Sequence, residues 1–156
     1  MAESTTEQPQ RIVPYLYYED VEGALRWLSA VFGFRERAEE TLRSDEGRVV
    51  HAAMELHGAR IMLGSPGADY RSPQRLGQTT HNLYVYVDDL DQHFARTQRG
   101  GARLLTEITA TFYGDRRYGV ADLEGQHWYF AQTAQELPAS EWRPSARDLA
   151  GHESTD

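Results

Sequence analysis

Cysteine is absent from the 156 residues, which excludes a disulfide framework, a thiolate metal site and a thiol nucleophile. Lysine is absent as well: the 16 basic residues are arginines scattered along the chain, and 24 Asp and Glu outnumber them to leave a net charge of −8. An acidic surface of this kind repels phosphate backbones, and no basic stripe offsets it, so a nucleic-acid partner is excluded. No run approaches the ~20 apolar residues that a membrane-spanning helix needs, which argues against a membrane partner. A Gly-rich phosphate loop and a G-x-S-x-G nucleophile elbow are both missing. Residues 1–10 are polar and do not read as a signal peptide, so a cytoplasmic location is the expectation.

What is present suffices for one core. Hydrophobic residues make up 40% of the chain, and a domain of this length buries roughly 70% of its unfolded surface. A polar head (1–10) precedes a patterned body (11–132). A polar tail (133–156) follows, broken by Pro138 and Pro144 and carrying few apolar residues besides Trp142. The head is expected to be disordered. The tail is expected to lack fixed structure, the alternative being a strap in which Trp142 docks onto the body or a partner chain.

The body repeats itself. Leu16-Tyr17-Tyr18-Glu19-Asp20-Val21 matches Val85-Tyr86-Val87-Asp88-Asp89-Leu90 at an offset of 69 residues. Each copy is a strand running into acidic residues, with Asp20 and Asp89 placed to cap a helix N-terminus and Gln92 three positions after Asp89. The first helix carries an apolar stripe at Val21, Leu25, Leu28 and Phe32. The second is weaker, with Leu90, Phe94 and Thr97. Glycines end both: Gly33, then Gly100-Gly101. Three strand-like segments follow each helix, at 34–41, 49–56 and 59–65, then at 102–108, 116–122 and 127–132. The result is a βαβββ plan in 11–65 and again in 78–132, joined by a loop at 66–77.

Alternation splits each strand into two faces. Ile12 and Leu16 oppose Val13, Tyr15 and Tyr17; Ile61 and Leu63 oppose Arg60 and Met62. Leu83, Val85 and Val87 oppose Asn82, Tyr84 and Tyr86, and Trp128 and Phe130 oppose His127 and Tyr129. One face is apolar throughout and suits packing beneath the helices, with Trp27 and Trp128 in the core. The other is amphipathic. Tyrosine buries area while its hydroxyl still seeks a partner, so this face reads as a cavity wall, against the plainer alternative of a filled core or dimer interface. Asp115 and Arg116 read as a hairpin turn and the start of a strand rather than as an acid and an anion clamp.

The double βαβββ plan, and the stretch Tyr113-Gly114-Asp115-Arg116 through Tyr118-Gly119-Val120-Ala121-Asp122-Leu123-Glu124-Gly125-Gln126-His127-Trp128, resemble the vicinal-oxygen-chelate superfamily. That group includes glyoxalase I, extradiol dioxygenases and bleomycin-sequestering resistance proteins. Its ending commonly reads Gly-Asp-Arg … Asp-Pro-x-Gly-x-x-Trp; Leu123 stands here where proline is usual. The resemblance implies an α+β fold in which two βαβββ modules form a curved mixed sheet around a cavity, with the helices on the outer face. It also implies metal ligands at points on four strands, which fall here on Val13, Met62, Asn82 and Tyr129. Only Asn82 among these offers a useful oxygen donor, so no metal and no cofactor are expected. A one-residue shift of register would bring His81 to the cavity face, and His51, Glu55 and His127 could then join it in a non-standard site.

The expected function is metal-independent binding of an aromatic or polycyclic, antibiotic-like small molecule. The ligand-binding residues would be Tyr15, Tyr17, Met62, Asn82, Tyr84, Tyr86, His127 and Tyr129. No catalytic residue can be named. The alternatives are a metal-dependent glyoxalase-type lyase, isomerase or dioxygenase, and a metal-free enzyme of natural-product biosynthesis in which tyrosine, His127 or Asp115 moves protons. The acidic surface would draw in a cationic ligand. The resemblance also implies a homodimer.

Overall fold

The computed structural model describes residues 9–151; the head expected to be disordered lies almost wholly outside them. The chain forms two compact units. Among the described residues, one comprises 9–29 and 33–70, and the other comprises 30–32 and 71–151.

In the first unit, strand β1 (Tyr15–Tyr17) starts directly after Pro14, which has no N–H for a ladder. Ile12, expected on the buried face with Leu16, lies ahead of that strand and is 85% exposed. The Asp20 side chain accepts the Gly23 N–H at 3.0 Å and so caps helix α1 (Val21–Trp27). The helix widens into a π turn, Leu28–Phe32, and stops at Gly33, whose φ of 85° carries no Cβ penalty. The expected stripe of Val21, Leu25, Leu28 and Phe32 is buried.

The segment 34–41 is not the single strand expected. It becomes β2 (Arg35–Glu36), a 3₁₀ turn (Ala38–Glu40) and then β3 (Leu42–Arg43). The turn brings Glu40 to both Arg37, three positions earlier, and Arg60, twenty positions later; the second pairing leaves no trace in the local pattern. Strands β4 (Val49–Leu56) and β5 (Ala59–Gly64) follow as expected. The sheet order is β1-β5-β4-β2, with β3 also on β4 and only β1–β5 parallel. Helix α1 packs against β4, and Leu16, Met54, Ile61 and Leu63 are buried. Cutting a buried Leu, Ile or Met back to Ala costs about 2–5 kcal/mol.

The second unit repeats the plan. Its linking loop contains one short helix, α2 (Pro73–Leu76). Strand β6 (Asn82–Tyr86) leads to Asp89, which accepts the Gln92 N–H at 3.0 Å and caps α3 (Leu90–Arg99). Strands β7 (Arg103–Ala110), β8 (Asp115–Ala121) and β9 (His127–Thr133) complete a sheet of order β6-β9-β8-β7, with β6 parallel to β9. Helix α3 packs on β8 and β9. Trp128 lies parallel to Phe130 at 6.1 Å, and its Nε1 donates to Asp122 Oδ2 at 3.0 Å. Asp122 Oδ1 accepts the N–H groups of Glu124 and Gln126, so this buried carboxylate is hydrogen-bonded on both oxygens. His93 joins the stripe of α3: its ring sits 4.1 Å from Phe130 and its Nε2 lies 2.9 Å from the Phe32 carbonyl oxygen.

In the tail, Ala139–Glu141 form a 3₁₀ turn and Ala146–Leu149 the short helix α4. The Trp142 ring lies 5.7 Å from Phe112 and 6.1 Å from Tyr113. Among the described residues no helix is long and apolar enough to cross a membrane.

Candidate functional site

The ladder register decides which side chains share the face of each sheet turned away from its helix. In the second unit, Asn82 pairs with His127 and that residue with Ala121; Tyr84 pairs with Tyr129 and that residue with Gly119. Tyr86, Ala131 and Arg117 form the next row, and Thr133 and Asp115 the last. All five sequence-predicted residues of this half (Asn82, Tyr84, Tyr86, His127 and Tyr129) therefore lie on one face. Gly119 makes room for them: a Cβ there would meet the Tyr129 ring and Thr106 Oγ1 at 2.9 Å.

Two residues that the sequence reading did not place in the site organise this face. Arg117 lays its guanidinium 4.7 Å from the Tyr129 ring centre and 5.9 Å from that of Tyr84, a cation–π arrangement. Asp115, read from sequence as a turn residue, is instead the first residue of β8 and only 4% exposed. Its Oδ2 accepts the hydroxyls of both Tyr84 and Tyr86 at 2.8 Å. Since the one hydroxyl proton of Tyr84 goes to Asp115, Tyr113 donates in the 2.9 Å contact between the two phenols. The signal for Asp115 and Arg117 was their spacing of four and two residues from Gly119, which period-two alternation puts on one face.

These bonds fix protonation. Burial, then the bonds to Tyr113 and Asp115, raise the Tyr84 phenol far above its ordinary range. Tyr86 is pushed up to about 12, first by its bond to Asp115 and then by burial. Both phenols keep their protons near neutrality and act as donors, not bases. His127 is shifted the other way, by burial and then by the positive charge of Arg103, so its imidazole resists protonation.

In the first unit, Tyr15 pairs with Met62, and Tyr17 with Gly64. The Tyr15 ring covers Gly64, where a Cβ would approach it to 2.6 Å. Its hydroxyl meets His51 Nδ1 at 2.8 Å. Tyr17 packs edge-on against Tyr70, whose hydroxyl donates to the Tyr17 carbonyl at 3.0 Å. The three predicted residues of this half (Tyr15, Tyr17 and Met62) share one face. His51 and Tyr70, absent from the predicted set, extend it. Arg35 and Arg37 pair with Glu55, and Arg60 with Glu40, at its charged end.

The four points where the resemblance implies metal ligands do not fit a divalent ion. They supply the hydrocarbon of Val13, the thioether of Met62, the amide of Asn82 and the phenol of Tyr129, whose ring faces the Arg117 guanidinium. Register keeps Asn82 on the tyrosine face, with exposed His81 just ahead of β6. Among the described residues no group of three His, Cys, Asp or Glu could hold a metal.

Comparison with known proteins adds lineage to this geometry. The profile of the Glyoxalase/Bleomycin resistance protein/Dioxygenase superfamily matches residues 9–130. An uncharacterized protein of Mycobacterium bovis is 29% identical over 133 residues, covering 82% of this chain and 86% of that protein. The crystal structure of TioX from Micromonospora sp. ML1 superposes with a TM-score of 0.62 at 33% identity, covering 83% of this chain and all (100%) of TioX. A glyoxalase-related enzyme from Clostridium phytofermentans reaches the same TM-score of 0.62 at 12% identity, a likeness of fold alone.

Proposed function

The chain belongs to the glyoxalase/bleomycin resistance protein/dioxygenase superfamily, and within it we propose that it is a metal-independent binding protein for a planar aromatic, antibiotic-like small molecule. The observation that carries this reading is the face of β6, β9 and β8, where Tyr84, Tyr86 and Tyr129 stand beside Arg117 with Asp115 holding two of the three hydroxyls. Rings fixed in this way lose little further freedom when a ligand stacks on them. Each adds about 0.5–1.5 kcal/mol beyond the area it buries. The tyrosines Tyr15 and Tyr17 offer a second such surface on the first unit.

Two further observations favour binding over the alternatives. The donors at the implied metal points suit no divalent cation, which weighs against glyoxalase-type metal chemistry. Tyr84 and Tyr86 hold their protons far too tightly to serve as bases near neutrality, which weighs against metal-free proton transfer through them. A homodimer in the cytoplasm completes the proposal, the dimer by analogy with other paired-module proteins.

The test has two arms. Protein stripped with chelator is melted with added Mn²⁺, Fe²⁺, Co²⁺, Ni²⁺ or Zn²⁺; a site filled at a hundred times its Kd would add about 2.7 kcal/mol, and a flat response is expected. Fluorescence titration with planar aromatic antibiotics then compares the wild type with Tyr84→Ala and Tyr129→Ala. Binding weakened in folded variants supports the proposal. A metal-selective rise in Tm, or binding unchanged in both variants, overturns it.

A further inference from the structure

Beyond the platform itself, the tail builds a separate cleft. The polypeptide leaves β9 and doubles back over the 111–115 turn, where the Gly114 carbonyl accepts the N–H groups of Ala134 and Gln135 at 2.9 and 3.0 Å. Only glycine fits beneath it: φ at Gly114 is +100°, and a Cβ would lie 1.9 Å from the Gln135 carbonyl oxygen. The 3₁₀ turn after Pro138 then turns Trp142 back onto Phe112 and Tyr113, with its indole N–H donating to the Leu137 carbonyl at 3.2 Å. Between this segment and the sheet lies a cleft of about 550 Å³, lined by Tyr86, Tyr113, Asp115, Glu136, Leu137 and Trp142 among others. Residues 133–142 fall outside the stretch that matches the superfamily.

The chemistry of the walls is one-sided. Among the described residues, three aromatic rings and two acids line the cleft, and no arginine or lysine does. Asp115 is 4% exposed, and both of its side-chain hydrogen bonds fall on Oδ2. Among the described residues its Oδ1 accepts no hydrogen bond and Asp115 forms no ion pair, although the residue lines the cleft. A nearly buried acid with one oxygen that accepts no hydrogen bond, set among aromatic rings of the kind whose faces attract positive charge, is a receptor for a cation. The size of the cleft and its apolar rings match an organic cation better than a hydrated metal ion, which the rings could not ligate.

We propose that this cleft binds an organic ammonium group, with Asp115 as its counter-ion and Tyr86, Tyr113 and Trp142 as an aromatic enclosure. The proposal rests on the binding-protein reading and deepens it: the ligand would carry its amine beside the planar portion that stacks on Tyr84 and Tyr129. The tail, docked through Trp142, completes the subsite.

The probe is choline, compared with its uncharged isostere 3,3-dimethylbutanol, in NMR titrations of the full chain that follow the Trp142 indole N–H. Choline is expected to shift that resonance and 3,3-dimethylbutanol to leave it unmoved. Asp115→Asn is expected to weaken choline binding by roughly tenfold or more, the size of losing one partner of a desolvated charge pair, and Trp142→Ala by roughly tenfold through the lost cation–π contact. Trp142→Ala, followed through the Tyr113 ring resonances, keeps the test decisive if Asp115→Asn perturbs folding. Equal binding of choline and its isostere, or choline binding that survives both substitutions, overturns the proposal. Benzyltrimethylammonium, which joins a ring to the cation, separates this failure from failure of the function. If planar aromatics bind and neither ammonium compound does, only the cleft assignment falls. If the ammonium compounds bind and planar aromatics do not, the platform falls instead.

Discussion

Replacing Asp115 by Asn keeps the shape of the side chain and removes its charge, which isolates what the carboxylate does for the tyrosine face. Its Oδ2 accepts two phenol hydroxyls at 2.8 Å. A hydrogen bond to a charged acceptor nets about 1.5–3 kcal/mol, against about 0.5–1.5 for a neutral one, so each bond stands to lose about 1 kcal/mol. Tyr86 is 55% exposed and solvent screens its share, leaving a total loss of about 1–2 kcal/mol. For a chain of this size that lowers Tm by roughly 2–8 °C. A second readout does not depend on stability. The Tyr86 phenol stands at about 12 chiefly because of this bond, so in the variant it should fall back toward the ordinary value of about 10. Tyrosinate absorbance during alkaline titration measures it, with Tyr86→Phe assigning the transition. A phenol raised in the folded state contributes stability that is complete below its unfolded pKa and is lost as pH rises through the folded one. Wild-type protein should therefore lose stability between about pH 10 and 12, and Asp115→Asn should lose less there. A variant in which Tyr86 still titrates near 12 and Tm is unchanged would refute the assignment of Asp115 as the acceptor of both phenols.

Asp122→Ala removes one carboxylate that holds three buried donors, the Trp128 indole and the N–H groups of Glu124 and Gln126; thermal melting should show a loss of about 3–5 kcal/mol. Gly64→Ala places a methyl against the Tyr15 ring, so NMR of the His51 ring should report loss of the Tyr15 hydroxyl contact, with β5 otherwise intact. Protonation of His127 is resisted by burial and by Arg103. Its NMR titration should lie below the ordinary histidine value, and Arg103→Gln should move it part of the way back. Because a depressed histidine binds its proton less readily when folded, stability should decline as pH falls through about 6.5.

The sequence by itself determined the elements that local physics controls. Alternation over two residues sorted Tyr84 and Tyr86 from Leu83 and Val85, and the ladder register agrees. Short-range capping announced both main helices through Asp20 and Asp89, and the 69-residue offset exposed the repeated plan. Where partners are distant, the sequence was silent. The 34–41 segment breaks because Glu40 reaches Arg60, twenty positions away. Asp115 becomes the centre of the tyrosine face because it meets phenols about thirty residues earlier in the chain, a meeting fixed by β6–β9–β8 register. Arg117 stacks on Tyr129 for the same reason. The cleft under Trp142 exists only because the tail folds back over Gly114. Period, cap and turn act over a few residues and can be read from them. A hydrogen bond between strands depends on which rungs align, and only the folded chain sets that.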